Sequence, residues 1–69
     1  MAENLDPRYR KNIEINAFVA VVLKKDQGTG ELTEGGVKRI LTNSKFHPHG
    51  IKVLLDTGEV GRVKEIYEE

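Results

Sequence analysis

Short apolar runs at positions 19–23, 37–41, 51–55 and 60–63 are separated by polar stretches in which glycine recurs. The first run is apolar at every position, Val19-Ala20-Val21-Val22-Leu23, as a central strand covered on both faces would be. Its β-branched valines favour the extended backbone. In the third run Ile51, Val53 and Leu55 alternate with Lys52 and Leu54, the period-two signature of a half-buried strand. The second run places its apolar residues at 37, 40 and 41, which breaks the alternation. A bulge at Lys38-Arg39 would restore it. Val60, Val63 and Ile66 recur every third residue, and this spacing predicts a strand running into a short helical turn, with a frayed end from Tyr67.

The connections are uneven. Asn16 stands before the first strand, where asparagine tolerates the left-handed turn needed to enter it. Positions 25–36 read as a long polar loop carrying Gly28, Gly30, Gly35 and Gly36, with a tight turn at Thr29-Gly30 and Leu32 as the side chain that pins it to the core. Positions 42–50 form a second polar loop. Asp56-Thr57-Gly58-Glu59 has glycine at its third position and joins two adjacent antiparallel strands. Residues 1–12 are polar, contain Pro7, and read as a flexible N-terminal arm with a small basic cluster of Arg8, Arg10 and Lys11 around Tyr9. The expectation is an all-β fold: a small SH3-like antiparallel β-barrel of four to five strands over residues 13–67, behind an arm at 1–12. An OB-type barrel is the alternative, but it normally needs a longer chain and a helix.

With 69 residues the chain holds one domain and buries only about 60% of its unfolded surface. No cysteine is present, so neither disulfides nor thiolate metal sites can stabilise it. That composition suits a cytoplasmic protein, and no apolar run approaches the length of a membrane span. Eleven basic and eleven acidic residues cancel. The cancellation is not local: between positions 36 and 64 stand Lys38, Arg39, Lys45, Lys52, Arg62 and Lys64 against Asp56 and Glu59.

Catalysis has little support. Ser44 with His47 or His49 is the only nucleophile–base candidate, and no nearby carboxylate would orient an imidazole. His47-Pro48-His49 sets two imidazoles on one side of an extended backbone, but zinc wants three or four ligands. The expected cofactor and metal content is none, and no small-molecule substrate is expected. The glycines do not spell a phosphate-binding loop, since the Gly-Lys-Ser/Thr ending is missing. Nucleic acid is the class left with positive support. Lys38, Lys52, Arg62 and Lys64 alternate with core positions and should face outward together. Phe46, His47 and His49 lie on a neighbouring loop and could stack on unpaired bases.

The segments Val21-Val22-Leu23-Lys24, Asp26-Gln27, Thr29-Gly30, Leu32-Thr33, Gly35 and Val37 resemble the front half of the YwbE-like proteins. Ile40-Leu41-Thr42-Asn43-Ser44, His47-Pro48-His49-Gly50-Ile51-Lys52-Val53 and Gly61-Arg62-Val63-Lys64-Glu65-Ile66 resemble the back half. Asn16 stands where that family would have glycine. The resemblance implies a KOW-like small barrel of the kind found in translation and transcription proteins. Gly36-Val37 with Ile40 is similar to a KOW element, and this favours RNA or a ribonucleoprotein as partner by analogy of fold alone.

The expected function is therefore a non-enzymatic, monomeric binding module for RNA or another nucleic acid. Lys38, Lys52, Arg62 and Lys64 would hold phosphates, and Phe46, His47 and His49 would contact bases or shape the loop. Asp26, Gln27 and Thr29 would order the long loop without touching a ligand. The alternative is a protein-interaction adaptor that uses an exposed barrel edge or loop.

Overall fold

The computed structural model describes residues 5–67. Four strands, β1 (Phe18–Leu23), β2 (Leu32–Ile40), β3 (Lys52–Leu55) and β4 (Val60–Tyr67), close into a barrel in the order β1-β2-β3-β4, every contact antiparallel. Two 3-10 turns, Arg10–Asn12 and Lys24–Asp26, complete the regular structure, and among the described residues no helix could cross a membrane. The all-β small barrel is as the apolar runs predict. Closure comes from β1, which hydrogen-bonds to both β2 and β4, while β3 bridges their other ends. The open barrel edge expected for an adaptor is thus taken up by strand pairing.

The core is valine-rich because the inner face of each short strand is. Val19, Val21, Leu23, Val37, Val53, Leu55 and Val63 project inward with Ile51, and Ile13 closes one end. Each such side chain contributes about 1.5–3 kcal/mol by leaving water. No buried polar side-chain atom lacks a partner among the described residues.

Two bulges reconcile the irregular spacings. Val37 faces Leu55 but Arg39 faces Leu54, so Lys38 is the extra residue in β2, where the sequence calls for one. Val21 faces Val63 but Ala20 faces Glu65, so Lys64 is extra in β4. The second bulge, and not a helical turn, is why Val63 and Ile66 both face inward three residues apart. Tyr67 is not frayed. It pairs with Phe18, their rings 5.6 Å apart, and its hydroxyl donates to the Glu34 carboxylate at 3.0 Å.

Three further expectations change. The loop after β1 is shorter than expected, because Gly35 and Gly36 lie inside β2 opposite Val19 and Phe18. A Cβ on Gly36 would sit 3.0 Å from the Asp56 carboxylate, a tight approach that the Asp56 side chain would have to relieve. Leu32 is not a core pin: it opens β2 on the outer face, 40% exposed. The arm is hydrogen-bonded to the 42–51 stretch from Pro7 onward. The Arg10 N–H donates to the Lys45 carbonyl (2.8 Å), the His47 N–H to that of Arg8 (2.9 Å), and the Ile51 N–H to that of Pro7 (3.1 Å). A stretch of 42–51 that would have unsatisfied backbone groups uses the arm as its partner. Residues 1–4 of the arm lie outside the described residues. The Asn16 expectation holds, with φ 75°.

Candidate nucleic-acid interface

Partners directly opposite in an antiparallel pair project to the same side. On the outer face one row therefore runs from Leu32 of β2 through Val22 of β1 to Arg62 and on to Lys52 of β3. Lys52 and Arg62 stand directly across from each other, a like-charge pairing that costs stability. No carboxylate offsets it: among the described residues the one ion pair is Arg8 with Asp6 (2.9 Å), on the arm. The β4 bulge brings Lys64 out on the same strand, just after Arg62.

Both β4 cations also hold the 47–50 loop. An Arg62 guanidinium N–H donates to the Gly50 carbonyl at 3.1 Å and the Lys64 ammonium to the His49 carbonyl at 3.0 Å. Gly50 makes this possible with φ 101°. The His49 N–H donates to Nδ1 of His47 at 3.2 Å, and the two rings lie 5.8 Å apart. Partial burial, with the Arg62 charge and His49 nearby, holds the His47 imidazole below its usual 6.5. Among the described residues no third histidine or carboxylate joins these rings as a metal-ligand group.

These parts border a concave surface. A groove of about 420 Å³ is lined by Val22, Gln27, Gly30, Leu32, His49, Arg62 and Lys64. A second of about 400 Å³ continues it along Val22, Lys24, Gln27, Lys52, Val60, Gly61 and Arg62. Among the described residues no carboxylate lines either one.

Of the expected phosphate-binding cations, Lys52, Arg62 and Lys64 are together. Lys38 is not with them: it occupies the β2 bulge, separated from β4 by β3, and lines neither groove. Lys24 takes that place, at the start of the 3-10 turn after β1. His49 lines the groove and His47 supports it from behind. Phe46 lies elsewhere. Its ring packs on Tyr9 (4.9 Å between centroids) with the Arg8 guanidinium 5.6 Å from its centre. Asp26 and Thr29 do order their loop, the Thr29 and Gly30 N–H groups donating to the Asp26 carbonyl. Gln27, expected to act with them, instead lines both grooves. Lys24 and Gln27 had no sequence signal beyond their polarity, because only the 3-10 turn folds them back over β4.

Comparison with known proteins gives the same lineage as the motifs. Residues 6–66 match the family described as "Uncharacterized conserved protein (DUF2196)". The "Uncharacterized protein YwbE" of Bacillus subtilis (strain 168) is 56% identical over 57 residues, 83% of this chain and 88% of its own length. No solved structure matches the chain. With its matched span covering all but the last residue of the barrel, the chain belongs to the DUF2196 family of YwbE-like conserved proteins.

Proposed function

We propose that this protein is a non-enzymatic module of the cytoplasm that binds RNA, or another nucleic acid, through the groove between the 24–30 turn and β4. The observation that carries this reading is the unneutralised pair Lys52–Arg62. The fold gains nothing by setting two cations opposite each other, and an anionic ligand removes the cost. Lys24 and Lys64 extend the same field, and His49 borders it. Phosphate contacts of this kind supply affinity without sequence choice. Phe46 is left out of the contact set because it lines neither groove and packs against Tyr9 on the arm.

The test is fluorescence anisotropy with a labelled single-stranded RNA of about ten nucleotides. Four phosphate-neutralising cations predict a log–log salt slope of about −2.8, hence roughly 50-fold weaker binding at 200 mM than at 50 mM salt. Replacing Lys52, Arg62 and Lys64 together by alanine should leave a slope of about −0.7. Binding that ignores salt, or survives the triple replacement unchanged, would sink this function.

A further inference from the structure

The groove has two lobes that share part of their lining. Val22, Gln27 and Arg62 line both lobes; Lys64 and His49 belong to one, Lys52 and Lys24 to the other. Each lobe falls in the lower half of the size range of small-ligand sites, about 300–1,000 Å³, enough for one nucleoside unit. Each has an apolar wall, Leu32 in the first and Val60 in the second, and a cation of its own. Of the cations lining the two lobes only Arg62 is common to both, and the Gly50 carbonyl uses only one of its five N–H donors. A guanidinium fork at that point matches a phosphate oxygen pair.

Given that the groove binds nucleic acid at all, we infer that its unit of recognition is a dinucleotide step of single-stranded RNA, one nucleoside in each lobe and the linking phosphodiester on Arg62. Lys64 and Lys52 then meet the next phosphate on either side. Gln27, common to both lobes, offers an amide donor and acceptor to a base edge. Paired bases present no free unit to either lobe, so duplex is a poor ligand for this site.

The test compares adenylyl-adenosine, which carries one phosphodiester charge, with adenosine monophosphate, which carries nearly two. NMR titration of the β4 and 24–30 amides reads both affinities, alongside the ten-nucleotide RNA. Filling both lobes should make the dinucleotide bind about fivefold or more tightly despite its smaller charge. Arg62→Lys keeps the charge but loses the fork, and should bring the ratio to about one. Arg62 also anchors Gly50, so Gln27→Ala serves as the second variant, expected to weaken the dinucleotide about threefold while the Arg62–Gly50 contact is kept. If the monophosphate binds as tightly as the dinucleotide while the longer RNA still binds, the two-lobe inference falls and the RNA-binding reading stands. If the longer RNA does not bind, both fall.

Discussion

Replacing Gly50 by alanine should remove about half of the stability of this barrel. The residue has φ 101°, a backbone conformation that costs an L-residue with a side chain about 1–2 kcal/mol. A Cβ built there lies 2.4 Å from the Val63 carbonyl oxygen, well inside contact distance. Neither side can yield easily. The Gly50 N–H is tied to the His47 carbonyl at 3.0 Å, and the Val63 N–H to that of Ile51 at 2.8 Å. Overpacking against fixed backbone costs about 1–3 kcal/mol more. The sum, about 2–5 kcal/mol, compares with roughly 3–10 kcal/mol of total stability for a chain of this size. Urea unfolding followed by far-ultraviolet circular dichroism measures it. Gly58→Ala is the control. Its φ of 94° carries a similar conformational cost, but nothing lies within 4 Å of the added methyl, so only about 1–2 kcal/mol should be lost. Equal losses at the two positions would refute the steric account of Gly50. Because the Gly50 carbonyl receives Arg62, the folded fraction of Gly50→Ala should also bind RNA more weakly.

Other outcomes follow from the site. Phe46→Ala should cost about 0.5–1.5 kcal/mol beyond its buried area, through the lost tilted ring contact with Tyr9, and leave RNA affinity unchanged; a large affinity loss without destabilisation would return Phe46 to the contact set. A histidine depressed in the folded state binds fewer protons folded than unfolded, so stability should fall as pH drops from about 6.5 through the His47 midpoint and level off below it. Ring-proton NMR should put that midpoint under 6.5, and His47→Gln should remove this part of the pH dependence; a midpoint at or above 6.5 would contradict the packing described for the ring.

Much of the barrel is legible in the chain because alternation is a local property. Ile51, Val53 and Leu55 must share a face in any strand, and the break at Lys38-Arg39 can only be repaired by an extra residue. The second bulge was harder to see. A three-residue apolar spacing suits a helical turn and a bulged strand alike, and pairing with β1 chose the bulge at Lys64. The arm misleads for a similar reason: its composition is that of a free segment, but backbone donors at 47 and 51 give it a partner from far along the chain.

By itself the sequence determined that the chain is all-β, that it carries no cysteine, and that its cations outnumber its acids between positions 36 and 64. Those follow from residue type and spacing, which need no knowledge of what lies opposite. Tertiary structure alone decided which cations meet. Strand register set Lys52 against Arg62, the bulges sent Lys38 and Lys64 to different places, and the turn after β1 laid Lys24 and Gln27 beside them. Charges far apart in sequence become one field only when hydrogen-bonded pairing fixes their separation, and no local pattern encodes that register.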